Sequence, residues 1–291
     1  MAVSARRFIP RALIARADAV VLERYRSLAA RRSRSAALDD ATLDAVAKLI
    51  KGEPASEKVD ATITAAFGKL AEADLSGRRP SPTVRRAVVD QFHRLYYHSG
   101  ARTWKNTSFF GVPVRKTPLD LWLYQELLHA VRPDVLIEAG TKFGGSAYYF
   151  ARLFDLLDHG RVITIDVEPQ PDRPEHPRLT YLTGSSADPA VADQVRELLA
   201  GGRALVVLDS RHRRKHVLAE LRLWSPFVPV GSYIVVEDSH ADGHPVTTHI
   251  GAGPWDAITD FLAETDDFVI DESMHKFFMT FNPRGYLKRV R

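Results

Sequence analysis

The run Ile137-Glu138-Ala139-Gly140-Thr141-Lys142-Phe143-Gly144-Gly145-Ser146 constrains the fold of this chain more than any other stretch. It follows the apolar residues Val135-Leu136-Ile137 and leads into Ala147-Tyr148-Tyr149-Phe150-Ala151, where the pattern predicts a helix. A strand, a glycine turn and a helix bring backbone N–H groups and a helix N-terminus up to a ligand. The next apolar run, Val162-Ile163-Thr164-Ile165, ends in Asp166. An acid at the tip of a second strand, roughly twenty residues past the glycines, is placed to bind ribose hydroxyls. Lys142 and Phe143 separate Gly140 from Gly144, so the spacing is not that of a dinucleotide fingerprint. Glu138, two residues before the first glycine, suits a nucleoside with a cationic tail. That combination points to S-adenosylmethionine rather than a nicotinamide cofactor.

From about residue 134 onward, short β-rich runs alternate with helical stretches. The predicted strands are 134–138, 161–166, 178–183, 204–208, 232–236, 267–270 and 277–281. Only Asp271 to Lys276 separate the last two, too short a span for a crossover helix, so they should pair antiparallel. Five strands in crossover units and a terminal hairpin predict an α/β fold. Its sheet would be Rossmann-like, seven-stranded and mostly parallel with the last strand antiparallel, as in class I methyltransferases. Upstream, Val59, Ile63, Phe67 and Leu70 make one helical stripe, and Val84, Val88, Phe92 and Leu95 make another. Gly77-Arg78-Arg79-Pro80-Ser81-Pro82 breaks them apart. Residues 1–80 therefore read as a basic helical appendage, and 81–291 as the main domain with its lead-in helices.

Charge is distributed unevenly. Nine arginines against two acids give residues 1–35 a net +7, so the formal +4 of the whole chain leaves −3 for the rest. A slightly acidic body gives little support to nucleic-acid binding. Within 8–30, Ile9, Leu13, Ala17, Val20, Val21, Tyr25 and Leu28 fall at helical spacing between the arginines. Such a helix fits docking on the domain or on a second copy in a homo-oligomer better than an anionic membrane surface, which stays the other possibility. The chain has no cysteine, which removes disulfides and thiolate chemistry. No apolar run approaches the ~20 residues of a membrane span, and arginines interrupt any secretory signal, so a cytoplasmic protein is expected.

A second constellation lies further on. Leu205-Val206-Val207-Leu208 runs into Asp209-Ser210-Arg211-His212, and Tyr233-Ile234-Val235-Val236 runs into Glu237-Asp238-Ser239. Both strands end on the sheet edge that carries Glu138 and Asp166, where ligands bind in open α/β sheets. Asp209, Glu237 and Asp238 repel one another there unless a cation fills the cluster, and all-oxygen ligation favours a hard ion such as Mg²⁺. Acids at strand ends also cap helices, which is the plainer account of any one of them. His212, three residues past Asp209 at the mouth of the crevice, is the candidate general base. His240, His244 and His249 share a loop in which Gly243 and Pro245 disfavour a helix, and they read as solvated loop residues beside the substrate.

These residues resemble the cephalosporin hydroxylase and rhamnosyl O-methyltransferase group of Mg²⁺-dependent methyltransferase-fold proteins, which includes macrolide sugar O-methyltransferases. The likeness runs from about Trp104 to Arg289. It is carried by Lys116-Thr117-Pro118-Leu119-Asp120, Tyr124-Gln125-Glu126, the glycine turn with Ser146-Ala147, and Gly184-Ser185-Ser186. Further on come Leu208-Asp209-Ser210-Arg211-His212, Val217-Leu218-Ala219-Glu220-Leu221, Gly231-Ser232-Tyr233, Val236-Glu237-Asp238 and Asn282-Pro283-Arg284-Gly285-Tyr286-Leu287. The resemblance implies that Asp209, Glu237 and Asp238 bind Mg²⁺ and that His212 is the base. It also implies that Glu138, Gly140, Ser146, Asp166 and Ser186 meet S-adenosylmethionine. The chain departs from many relatives at Arg211, where they carry Asp; that position is not one of the three implied ligands.

The chemistry expected is therefore Mg²⁺-dependent methyl transfer to a hydroxyl of a sugar or glycosylated metabolite. Two other readings stay open. One is a hydroxylase-like enzyme of secondary metabolism, although no two-His-one-carboxylate set is visible. The other is a non-catalytic protein that binds the cofactor and supports a partner.

Overall fold

The structure is a computed structural model that describes residues 82–246 and 251–291. The appendage expected over 1–80, its arginine-rich first helix and its 59–70 stripe lie outside the described residues, as does His249.

The sheet is built from β1 (Val135–Ala139), β2 (Arg161–Asp166), β3 (Leu179–Thr183), β4 (Ala204–Leu208), β5 (Tyr233–Val236), β6 (Phe268–Ile270) and β7 (Tyr286–Arg289). Its order is β3-β2-β1-β4-β5-β7-β6. β7 runs antiparallel to both β5 and β6, and the other pairs are parallel. The expected mixed sheet with one reversed strand is thus present. Chain order reverses at β1, between β2 and β4, so a crevice opens beyond the carboxyl ends of these strands.

Alternation along each strand feeds both faces. Val135, Ile137, Val206 and Ile234 pack with Val195, Leu221, Trp224 and Phe261 on one side. Leu136, Val162, Leu205 and Val235 pack with Leu123, Leu128, Phe150 and Phe154 on the other. Helices α2 (Pro118–Val131) and α3 (Gly145–Leu157) cover the second face; α4 (Pro189–Leu199), α5 (Arg214–Trp224) and α6 (Pro254–Glu264) cover the first. α2 and α4 start alike, with Pro at the first turn and a capping side chain, Thr117 or Asp188, accepting from an orphan N–H.

The predicted strand at 277–281 is not one; the last strand is 286–289. Glu272–His275 is a short 3-10 helix, and Phe278 has a positive φ of 66°. The Phe278 N–H bonds back to the His275 carbonyl, and the Phe281 N–H is taken by a side chain instead of a neighbouring strand. Asp120 on α2 accepts from the Phe281 N–H at 2.9 Å, the Thr280 hydroxyl at 2.5 Å and the Tyr286 hydroxyl at 3.2 Å. Propensity over 277–281 could not reveal that partner, 160 residues away.

Helix α1 (Pro82–His98) forms as expected, but its apolar stripe faces outward: Val88, Phe92 and Leu95 are 64, 52 and 65% exposed. Among its described side chains the buried one is His93, which shares a 2.7 Å hydrogen bond between its Nε2 and Nδ1 of His240. His240 is also buried, so it is not the solvated loop residue anticipated. His244 stacks on Trp255 with ring centroids 3.9 Å apart.

Two consequences are measurable. Asp120→Ala strands three buried donors, and urea unfolding should show a loss of about 3 kcal/mol, with Asp120→Asn losing less. Burial, aided by Arg94, pushes His93 down from 6.5 to about 4. The unfolded chain then takes up a proton that the folded one refuses. His93 therefore contributes stability above pH 6.5 that is lost as pH falls toward 4, amounting to about 3 kcal/mol. The urea midpoint should fall less steeply between pH 7 and 5 in His93→Gln than in the parent; equal slopes would refute this.

Candidate functional site

The glycine turn after β1 is sterically dictated. Gly140 has φ +99°, and a Cβ there would lie 2.0 Å from the Asp209 carbonyl oxygen. A Cβ on Gly145 would lie 2.1 Å from the Pro113 carbonyl oxygen. The turn is thus wedged between the end of β4 and the short ladder Ser108–Phe109 with Val112–Pro113. α3 starts there, with Ser146 in its first turn.

A cleft of about 710 Å³ opens in front of this turn. Gly140, Ser146, Asp166 and Ser186 line it together with Asp209, His212 and Asp238. Asp166 accepts from the Lys142 N–H at 2.7 Å and the Glu168 N–H at 3.1 Å, which fixes its carboxylate at the tip of β2. Ser186 donates to Glu220 Oε1 at 2.5 Å, and Ser210 donates to the same oxygen at 2.6 Å. Glu138 is different. It is wholly buried behind the turn, accepts from Thr164 at 2.6 Å and leaves Oε1 without a partner. Burial pushes it up to about 7, against the pull of Lys116.

Asp209, His212 and Asp238 present ligand atoms all within 4.8 Å of one another. His212 Nε2 lies 3.2 Å from Asp238 Oδ2 and 3.8 Å from Asp209 Oδ1. Consecutive strand residues should face opposite ways, yet Asp238 has a φ of +56°, which breaks the alternation just past β5. Asn282 Oδ1 holds that bend by accepting the Asp238 N–H at 3.1 Å.

Glu237, the third acid of the expected set, points elsewhere. Lys116 donates to its Oε2 at 2.5 Å and Tyr124 to its Oε1 at 2.5 Å. The same ammonium lies 2.6 Å from Asp209 Oδ2. Burial opposes the Lys116 charge, but Asp209, Glu237 and Glu138 outweigh it and hold the ammonium well above the usual lysine range. Burial and the Asp209 charge push Glu237 up, against Lys116 and Tyr124. Asp238 is also pushed up, by burial first and by Asp209, against His212.

Lys116, Tyr124, Glu220 and the His93–His240 pair were missed as contributors. Lys116, Tyr124 and Glu220 stood inside quoted motifs without a role. A charge count offered the one available signal: three acids on one sheet edge call for a nearby cation.

Known proteins resemble this chain in sequence and in fold. Residues 101–290 match the family described as Rhamnosyl O-methyltransferase/CmcI. A Rhamnosyl O-methyltransferase of Mycobacterium bovis (strain BCG / Pasteur 1173P2) is 38% identical over 213 residues, 70% of this chain and 85% of the relative. That of Mycobacterium leprae (strain TN) is 36% identical over 210 residues, 70% of this chain and 91% of the relative. Among solved structures, the CmcI-N160 apo form superposes with a TM-score of 0.50 at 19% identity, covering 64% of this chain and 77% of the other. The cmcI-D160 Mg–SAM complex gives 0.50 at 18%, covering 64% and 78%. These structural likenesses bear on the fold. By its sequence matches, the chain belongs to the rhamnosyl O-methyltransferase/CmcI family.

Proposed function

We propose that the protein transfers the methyl group of S-adenosylmethionine to a hydroxyl of a sugar or glycosylated metabolite, with a divalent cation, Mg²⁺, at the acidic cluster. One observation carries the reading: a single cleft joins the glycine turn and Asp166 to Asp209, His212 and Asp238. Nucleoside-binding and hydroxyl-activating groups so placed can act on one reaction. The names of the relatives support a deoxysugar such as rhamnose as acceptor. Tyr97 and Trp104, stacked at 5.3 Å between centroids, line the cleft and offer the apolar wall that a sugar's C–H face would pack on.

The donor set suits a hard cation. Asp209 and Asp238 converge with His212, Glu237 stands behind them, and burial, with the neighbouring Asp209 charge, pushes Glu237 and Asp238 up. When bound, S-adenosylmethionine supplies an electrophilic methyl group on a sulfonium, and the cation supplies Lewis acidity to the acceptor hydroxyl. The protein's own groups do the rest. Asp166 holds the ribose hydroxyls, Gly140 leaves the turn without a side chain so that the cofactor can approach its backbone, and Ser146 stands in the first turn of α3, whose N-terminus faces the amino-acid tail. The unpartnered Oε1 of Glu138 leaves a buried acceptor beneath the turn, which favours a ligand group that can donate to it. His212 takes the proton of the acceptor hydroxyl, and Asp209 and Asp238 stabilise the imidazolium that results.

Labelled S-adenosylmethionine offered with a panel of rhamnosyl glycosides should give a methylated product. EDTA should abolish the transfer and Mg²⁺ restore it; undiminished turnover after rigorous chelation would end the metal assignment. Cofactor binding without turnover on any acceptor would favour the non-catalytic reading.

The two halves of the cleft should separate on mutation. Asp166→Ala should weaken S-adenosylhomocysteine binding by ~1.5–3 kcal/mol in calorimetry. His212→Ala should leave that affinity nearly unchanged and lower the rate by ~10²–10⁴. The opposite pattern would mean that the two halves are assigned backwards.

A further inference from the structure

Lys116 sits where a metal reading leaves least room for a lysine. Its side chain is 3% exposed, and its Nζ lies 2.6 Å from Asp209 Oδ2 and 2.5 Å from Glu237 Oε2. Two of the three acids assigned to the cation thus already share a positive charge. We infer that Lys116 is a resident counter-cation that lowers the affinity of this acidic site for a divalent ion. The inference rests on the metal reading proposed above.

The ammonium is poorly placed to move aside. Lys116 immediately precedes Thr117, the buried N-cap of α2, so its backbone is tied to the start of that helix. Tyr124, nearly two turns further along α2, donates to Glu237 Oε1 at 2.5 Å. Glu237 is therefore gripped through both oxygens, by Tyr124 on α2 and by Lys116 just before that helix's cap. Asp209 is gripped through Oδ2 alone, and its Oδ1 faces His212 at 3.8 Å. An arriving cation finds Asp209 Oδ1 and the Asp238 carboxylate least encumbered, with a fixed positive charge behind them. At this burial, like charges a few ångströms apart are weakly screened, and their repulsion opposes binding.

A lysine that only oriented the two carboxylates would act in the opposite sense, because its removal would let them drift and weaken the site. The sign of the change in metal affinity separates the two roles.

The test is a Mn²⁺ titration of the full chain, followed by the electron paramagnetic resonance signal of the free ion. Parent, Lys116→Met and Lys116→Gln are compared, the last keeping a hydrogen-bond donor without the charge. Both variants should bind Mn²⁺ at least about tenfold more tightly than the parent. Their metal-free melting temperatures should fall, and saturating Mn²⁺ should recover more of that loss than it adds to the parent. Folded variants that bind Mn²⁺ equally or more weakly would overturn the inference. So would unfolding of both variants that Mn²⁺ does not reverse, because a resident counter-cation must be replaceable by the ion it stands against. Absence of Mn²⁺ binding in all three proteins alike would instead sink the metal reading itself.

Discussion

The ammonium of Lys116 ties the start of one helix to the ends of two strands, and much of the site is organised around that tie. Lys116 reaches Asp209 after β4 and Glu237 after β5. On the same element, Asp120 gathers Thr280, Phe281 and Tyr286, and Tyr124 meets Glu237. The first two turns of α2 thereby connect the acidic cluster to the loop before β7. These buried groups are charged or strongly polar, and each would be costly if left without its partner. A small displacement of this helix end would therefore disturb the acids and the last strand together.

Local backbone geometry then sorts the acids into different jobs. Glu237 keeps the direction of its strand and turns inward to Tyr124 and Lys116, whereas Asp238, at φ +56°, turns toward His212. Two adjacent acids thus meet different partners, and the positive φ of Asp238 is a bend of the kind concentrated at functional sites. Gly140 contributes to the same geometry from the other side. The Asp209 carbonyl comes so close to its Cα that no side chain would fit, and the two strand-end loops share one crevice as a result.

The sheet was legible because its strands are short apolar runs closed by turn residues, and six of the seven boundaries predicted from sequence lie within one residue of those observed. The seventh failed at 277–281, where a buried carboxylate far away in sequence takes the Phe281 N–H and the Thr280 hydroxyl. Asp166, Asp209, His212 and Asp238 were legible as polar residues at strand ends, a position that topology alone makes accessible. Lys116 and Glu220 were not. Their importance comes from burial beside oppositely charged or hydroxyl groups across gaps of 93 and 34 residues, and no periodicity reports that. The stripe on α1 misled in another way: helical spacing revealed the helix but not which face the domain would cover.

The buried histidines link the aromatic wall of the cleft to the acids. His93 on α1 bonds to His240 Nδ1, and His240 Nε2 faces Asp238 Oδ1 at 3.5 Å. Burial holds both rings below the usual histidine value, so they are neutral at physiological pH. A neutral His240 that directs its Nε2–H at Asp238 must accept at Nδ1, and His93 must then donate from Nε2. Asp238 is thus addressed by the neutral His240 ring from behind and by His212 in front, with Asn282 holding its backbone. Tyr97 packs edge-on to His240 and stacks on Trp104, so the aromatic wall and the acid's support are one packed unit. Under the function proposed above, an acceptor pressed against Tyr97 and Trp104 would bear on the residues that aim Asp238, which would couple the fit of the sugar to the geometry of the acidic cluster.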